Sequence, residues 1–170
     1  EKTCYGSDVM RRFEKISFAQ FKKDICDNID LYNEYELPKR ATLKSAGYDF
    51  KAIEDITIKK GEILKIPTGV KVRLNDDEFL GVYVRSKMGC KYNIRMCNQV
   101  GIVDADYYNN VSNEGHIFVF LQNEGNLDVV IKKGEHFVQG IIQKFMICDN
   151  EEVVTKTREG GFGSTDRKEE

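Results

Sequence analysis

Long apolar runs are missing from this sequence. No stretch approaches the roughly 20 residues that a bilayer-spanning helix needs. The N-terminus is polar throughout, so neither a membrane span nor a signal peptide is expected. An excess of charge of one sign is missing too. Lysine and arginine number 26 against 28 aspartates and glutamates, with a pI near 5.8. That balance offers no broad basic face for nucleic acid or for an anionic membrane. Histidine occurs twice, at His116 and His136, too far apart for a triad or an H-E-x-x-H metal pair. Both are read as ordinary strand or surface residues. The five cysteines, Cys4, Cys26, Cys90, Cys97 and Cys148, are odd in number and contain no C-x-x-C. Reduced thiols in a cytoplasmic protein are expected, not a disulfide framework or a zinc site.

What is present suits one globular domain with a real core: 170 residues, 41% apolar and 32% charged. Residues 1–10 read as disordered or tag-like, and Met10 as an internal residue or a native start. Ser17-Phe18-Ala19-Gln20 reads as a capping box, with Ile16 and Phe21 at the staple positions. Phe18, Phe21 and Ile25 recur at helical spacing, which predicts a short helix over 18–27 that must dock to be stable. From Leu37 the apolar period becomes two. Strands are expected at 56–58, 63–66, 70–74, 79–84, 117–121, 127–131 and 137–147. Turns of Lys-Lys-Gly-Glu or Asn/Asp-rich type separate several of them. Many short strands with regular turns mean an all-β sandwich or barrel. No repeat and no Pro/Gly/Ser linker interrupts this part.

Chemistry concentrates in Gly101-Ile102-Val103-Asp104-Ala105-Asp106-Tyr107. Two carboxylates and a tyrosine directly follow an apolar run, so a strand end could hold an acid, a ring and backbone amides at one point. Asp104 then serves as a general base and Tyr107 as a ring packed on a substrate; the plainer alternative is a polar hairpin turn. The polar, glycine-rich stretch after Val154 reads either as a frayed terminus or as an arm that closes over a ligand. In the second case Arg158 meets an anion and Phe162 a flat ring.

Five stretches in order resemble the trimeric dUTP pyrophosphatase (dUTPase) family. They are Ala46-Gly47-Tyr48-Asp49-Phe50, Arg85-Ser86-Lys87-Met88-Gly89, Gly101 to Tyr107, Val138-Gln139-Gly140-Ile141, and Arg158 to Thr165. Leu37-Pro38-Lys39-Arg40-Ala41-Thr42 also resembles the family's opening. The resemblance implies a jelly-roll-like distorted barrel with a short N-terminal helical extension. It divides the chain into an extension (1–36), a β domain (37–155) and a C-terminal arm (156–170). It further implies a homotrimer with active sites shared among chains, and hydrolysis of dUTP to dUMP and pyrophosphate with Mg²⁺.

The resemblance also assigns roles. Asp104 is similar to the carboxylate that activates the water attacking the α-phosphorus, and Asp106 is left as a turn-stabilising acid. Tyr107 is similar to the ring that packs on deoxyribose and leaves no room for a 2′-hydroxyl. Asn98 and the hairpin backbone at Gly101, Ile102 and Val103 would read uracil. Arg85, Ser86, Lys87 and Gln139 would meet the phosphates, while Asp49 would lie near the metal through water. Arg158 would reach the γ-phosphate and Phe162 would stack on uracil, with Gly163 and Ser164 beside them. The sequence departs from the family pattern at Val84 and Lys87, where Pro and Gly are common. The arm motif is one residue short, and residues 108–114 form an insertion after Tyr107. Two alternatives share the fold: a dCTP deaminase, against which Asp104 and Tyr107 argue, and a regulatory protein that binds nucleotide or protein through its insertions.

Overall fold

The computed structural model describes residues 9–163 and 165. Its strands are β1 (Arg12–Lys15), β2 (Lys39–Arg40), β3 (Tyr48–Lys51), β4 (Ile56–Ile58), β5 (Ile63–Pro67) and β6 (Val70–Arg73). They continue with β7 (Glu78–Val84), β8 (Ile94–Met96), β9 (Gly101–Asp104), β10 (Phe118–Asn123), β11 (Val129–Ile131) and β12 (His136–Lys144). Two short helices, α1 (Phe18–Asp24) and α2 (Ile29–Glu34), lie near the N-terminus. The largest sheet runs β2-β3-β12-β7-β9, a second runs β5-β10-β8, and β1-β6 and β11-β4 form pairs. Every pairing is antiparallel. This is the expected all-β, jelly-roll-like barrel.

Alternation explains why these segments are strands. Along β10 the burial alternates strictly, with Val119, Leu121 and Asn123 inward and Phe118, Phe120 and Gln122 less so. One face feeds the core and the other faces outward, as a half-buried strand requires. The core gathers Phe50, Ile58, Leu80, Ile94, Leu121, Ile131 and Phe137, each almost wholly buried. Such a side chain contributes about 1.5–3 kcal/mol when taken out of water. The buried Asn123 is compensated: its amide donates to the Ile58 and Leu127 carbonyls and its oxygen accepts from Gly125.

The expected turns close as their residues require. Glu62 N–H donates to Lys59 O, Glu78 N–H to Asn75 O, and Glu135 N–H to Lys132 O. The last strand is shorter than expected. It ends at Lys144; Phe145 N–H still donates to Asp77 O, but residues 145–157 run out of strand partners and are exposed or nearly so.

The N-terminal segment is more structured than its sequence suggests. Residues 1–8 lie outside the described residues, but Val9 N–H donates to Asn75 Oδ1 and Arg11 pairs with the buried Glu78. Burial opposes ionisation of Glu78, yet bonds from Arg11 and Asn75 outweigh it and hold the carboxyl below its ordinary range. β1 then pairs with β6. Ser17 caps α1 as expected, accepting from Gln20 N–H at 3.1 Å. The Gln20 side chain donates to Asp24, four residues on, instead of closing the box. The helix stops at Asp24 rather than near residue 27, because Ile25 leaves helical geometry and the chain restarts at α2, capped by Asn28. Together these helices build a second small core: Ile16, Phe21, Leu31 and Ile53, walled by Tyr32 and Tyr35. Gly69 is the seam. Its φ is +72°, in the left-handed region that favours glycine, and a Cβ there would stand 2.9 Å from the Tyr35 ring. Tyr35 Oη and Ile16 N–H both donate to the Gly69 carbonyl.

Candidate functional site

A cavity of about 340 Å³ opens beside β9. Asn98, Gly101, Ile102, Val103, Asp104, Tyr107, Arg158 and Phe162, all singled out from sequence, line it. The hairpin before β9 turns at Gln99, whose φ is +65°, and Val100 N–H donates to Asn98 O at 2.7 Å. This turn exposes Asn98 at the rim. Gly101 lets the hairpin settle on the sheet: a Cβ there would stand 3.2 Å from Val82 and 3.3 Å from Met96. Sequence reasoning missed the remaining wall, Val82, Met96, Val100, Ile117, Phe118, Phe120 and Gly161. These are mostly apolar strand residues, and nothing in an alternating pattern marks which of them will face a cavity.

The arm lies across the cavity of its own chain. Arg158 places Nη2 2.5 Å from Asp104 Oδ2 and Nε 2.8 Å from Asp106 Oδ1. Phe162 packs edge-on against Phe120, with ring centroids 5.2 Å apart. The arm therefore reaches the hairpin of its own chain. Residues 145–157 form an extended linker of 13 residues, and a chain that long can span about 40 Å. Asp106 also differs from its expected role: its carboxylate engages Arg158 rather than the local turn. Gly163 follows Phe162, exposed and away from the cavity lining. Ser164 lies outside the described residues.

Tyr107 is buried and tightly tethered. Its hydroxyl donates to the His116 carbonyl at 2.6 Å and accepts from Asn113 Nδ2 at 2.8 Å. Burial, above all, raises its pKa, so the phenol is neutral. The insertion after Tyr107 is an ordered loop. Asn110 caps it internally, accepting from Ser112 and Asn113 and donating to the Tyr107 carbonyl. It is also tied to the N-terminal segment, through Tyr108 Oη to Glu14 and Ser17 N–H to Glu114.

His116 corrects the reading of an ordinary strand histidine. It is fully buried, with Nδ1 2.6 Å from Asp24 Oδ2 and Nε2 accepting from Gly69 N–H at 2.8 Å. Burial lowers its pKa, and the nearby Asp24 and Glu114 only partly oppose that.

A second cluster forms across β3, β12 and β7. Asp49 sits opposite Gln139, and Gln139 opposite Tyr83. The Asp49 carboxylate is buried, with Oδ1 3.1 Å from Arg85 Nε and Oδ2 3.8 Å from His136 Nδ1. Gln139 Nε2 donates to Val84 O. Gly47 leaves the space that the Gln139 amide occupies, since a Cβ there would collide with it. Beyond Arg85 the chain enters a π-helical turn, Lys87–Lys91. Ser86 and Lys87 are exposed there, and Lys87 leans toward the Tyr92 ring. None of Arg85, Ser86, Lys87 and Gln139 lines the cavity. Asp104 pairs with Phe79 at one end of β7, while Arg85 follows its other end. Six residues of strand separate them, about 20 Å.

Among the described residues no group of three or more His, Cys, Asp or Glu could cage a metal ion. The donor set still fits Mg²⁺ held in the manner of phosphate sites, where the ion keeps most of its waters. Asp49 is a buried carboxylate beside Arg85, with oxygen lone pairs left for water.

A family model described as dUTPase matches residues 33–166. The chain is 46% identical over 130 residues to a deoxyuridine 5′-triphosphate nucleotidohydrolase of Lactococcus lactis, covering 76% of this chain and 87% of that one. The crystal structure of a dUTPase from Streptococcus mutans, 37% identical, superposes with a TM-score of 0.67 and covers 81% of this chain and 98% of that one. A mutant dUTPase from phage phi11 of S. aureus, described as coordinating a structural Mg(II) ion, shares only the fold. It is 16% identical with a TM-score of 0.63, over 85% of this chain and 97% of that one.

Proposed function

The chain belongs to the dUTPase family, and from that premise we propose that it hydrolyses dUTP to dUMP and pyrophosphate with Mg²⁺, in a homotrimer. The observation that carries the reading is the cavity that joins Asp104 to Asn98, the β9 hairpin and Tyr107. An apolar cavity with an acid at its mouth, held at rest by Arg158, suits a small planar ligand with a reacting group beside the acid.

Asp104 orients a water and takes its proton as that water attacks the α-phosphorus. Phosphoryl chemistry asks the protein mainly for positioning and charge stabilisation. The Asn98 amide, which can donate and accept together, and the backbone of Gly101, Ile102 and Val103 read the uracil edge. The Tyr107 ring packs on the deoxyribose. Arg158 now rests on Asp104 and Asp106. The γ-phosphate competes for the same guanidinium, and its capture frees the Asp104 carboxylate for water. Phe162 then leaves Phe120 to cover the base, with Gly163 and Ser164 alongside. Arg85, Ser86, Lys87 and Gln139 hold the polyphosphate. Asp49 keeps Arg85 in place and would hold Mg²⁺ through water, where the ion would neutralise phosphate charge.

Distance supports a site shared between copies, as in the proposed homotrimer. Asp104 and Arg85, about 20 Å apart along one strand, cannot serve the same phosphate group of one nucleotide, so a second copy supplies the Arg85 cluster. Symmetric closure with identical contacts is the usual way to arrange this. The exposed linker residues Met146, Ile147, Val153 and Val154 give such an assembly apolar surface to cover. Extension (1–36), β domain (37–155) and arm (156–170) are its parts. The free thiols Cys26, Cys90, Cys97 and Cys148 suit the reducing cytoplasm, and no nucleic-acid or membrane partner is needed.

Pyrophosphate release from dUTP, dTTP, dCTP and UTP, with and without Mg²⁺, tests the reading. Release from dUTP alone, dependent on Mg²⁺, is expected. Ammonia release from dCTP would replace the hydrolase with a deaminase. Light scattering that finds a fully active monomer would overturn the shared site.

A further inference from the structure

The segment before residue 33 lies outside the family match, yet one of its side chains reaches a residue that packs behind the cavity wall. Asp24, the last residue of α1, holds its carboxylate 2.6 Å from His116 Nδ1, braced by a bond from Gln20 at 2.9 Å. The opposite ring nitrogen accepts from Gly69 N–H, so Nε2 carries no proton and Nδ1–H must be the donor to Asp24. The ring is sealed from solvent. At rest its two nitrogens have these partners. His116 in turn touches the cavity twice. Its carbonyl takes the Tyr107 hydroxyl at 2.6 Å, and its ring lies 4.1 Å from the Phe118 ring, which lines the cavity.

From this chain of contacts we infer that Asp24 and His116 are positioning residues for the Tyr107 ring, and so set how strictly the cavity excludes a 2′-hydroxyl. The inference rests on the reading of Tyr107 as the ring against the sugar. Exclusion by a van der Waals wall is sensitive to small displacements, because contact energy changes steeply within an ångström. Removing the Asp24 carboxylate strands a buried N–H, which costs more than the bond itself contributes. His116 cannot answer by switching tautomer, since a proton on Nε2 would face Gly69 N–H. The histidine must shift, and the Tyr107 hydroxyl shifts with its carbonyl acceptor.

The test is the ratio of kcat/KM for dUTP to that for UTP in four proteins of full length: wild type, Asp24→Ala, Asp24→Asn and Tyr107→Ala. Asp24→Ala is expected to lower the ratio by about 3- to 30-fold, and Tyr107→Ala by at least as much. Asp24→Asn should keep the ratio near wild type, because its amide oxygen still accepts from Nδ1–H. Circular dichroism melts and light scattering establish that each protein is folded and assembled. If Asp24→Ala does not fold, Asp24→Ser, smaller than Asp and unable to span the gap to Nδ1, reads the same ratio. A lowered ratio in Tyr107→Ala with an unchanged one in Asp24→Ala overturns the positioning role and leaves the sugar reading intact. An unchanged ratio in Tyr107→Ala overturns the sugar reading itself. An Asp24→Asn protein as relaxed as Asp24→Ala would show that the hydrogen bond is not what positions the ring.

Discussion

The cavity beside β9 and the Asp49–Arg85 cluster share strand β7, with Asp104 beside one end and Arg85 beyond the other, and they are made differently. The cavity is mostly apolar, its polar groups coming from one short stretch of chain and from the arm. The Asp49–Arg85 cluster is ionic and assembled across three strands that are far apart in sequence. Yet both hold opposite charges together at rest: Asp104 and Asp106 share Arg158, and Arg85 has Asp49. Asp49 is buried, and a buried charge is costly without a partner; at the half-exposed Asp104 and Asp106 the pairing with Arg158 is screened. The lesson is that, on the proposed function, ligand binding at these residues is an exchange of partners rather than a filling of empty positions.

The sharpest way to break the comparison is to remove the acid at the cavity. Asp104→Asn keeps the shape and can hold a water, but cannot take its proton. Turnover of dUTP should fall about 10²- to 10⁴-fold, while a non-hydrolysable dUTP analogue binds within a few-fold of wild type. Single-turnover kinetics and titration measure the two. Hydrolysis within a few-fold of wild type would move the base to Asp106 or Asp49.

At the other end of the strand, Arg85→Ala should lower turnover by about 10²- to 10³-fold, the usual loss when a charge-stabilising donor is removed. The two variants together ask whether the ends cooperate within or between chains. Asp104→Asn and Arg85→Ala subunits, denatured and reassembled together, should regain activity that neither has alone. Mixed assemblies would contain sites with both residues intact. No recovery, despite mixed assembly shown by mass spectrometry, would place a whole site within one chain.

Arg158→Ala separates the arm's resting contact from its working one. The Asp104 and Asp106 side chains are roughly half exposed, so their pairing with Arg158 is screened and adds little stability. The melting temperature should stay within a degree or two, while KM for dUTP rises about tenfold through the lost charged hydrogen bond. A large loss of stability with unchanged KM would make the arm a structural strap.

The smallest effect concerns the wall behind the cavity. His116 has a folded pKa below the ordinary 6.5, chiefly through burial. Asp24 and Glu114 favour its charged form and Lys65 opposes it. Below pH 6.5 the unfolded chain therefore binds a proton that the fold resists. Stability should be fully present above that pH and be lost as pH falls toward the folded pKa, by at most about 1.4 kcal/mol per pH unit for one proton. Melts at a series of pH values, compared with His116→Gln, isolate this slope. An identical acid sensitivity in the variant would show that His116 does not contribute.

Periodicity and turn residues made most of the barrel legible, because alternation and Gly- or Asn-rich turns are local signals. The Ser17 cap and the apolar α1 stripe were readable for the same reason. β1 and α2 were not: β1 is four residues whose strand character comes from β6 alongside, and α2 is a single capped turn and a half whose stability comes from docking. The strand expected to reach residue 147 stops at Lys144 because pairing partners, not composition, decide where a strand ends.

The motif residues of the cavity were legible from the sequence because Asn98, Gly101 and Asp104 to Tyr107 lie within one hairpin and its strand, where spacing alone brings them together. Motif order also identified Asp49, Arg85 and Gln139, but their convergence depends on which strands become neighbours in the sheet. The same holds for Phe120 as the seat of Phe162, for Arg158 folded back on its own Asp104, and for His116 held by Asp24 from 92 positions away. Those contacts join residues without any shared local pattern. Only the tertiary structure decided them, because it is strand order and the docking of α1 that bring such distant side chains within hydrogen-bonding range.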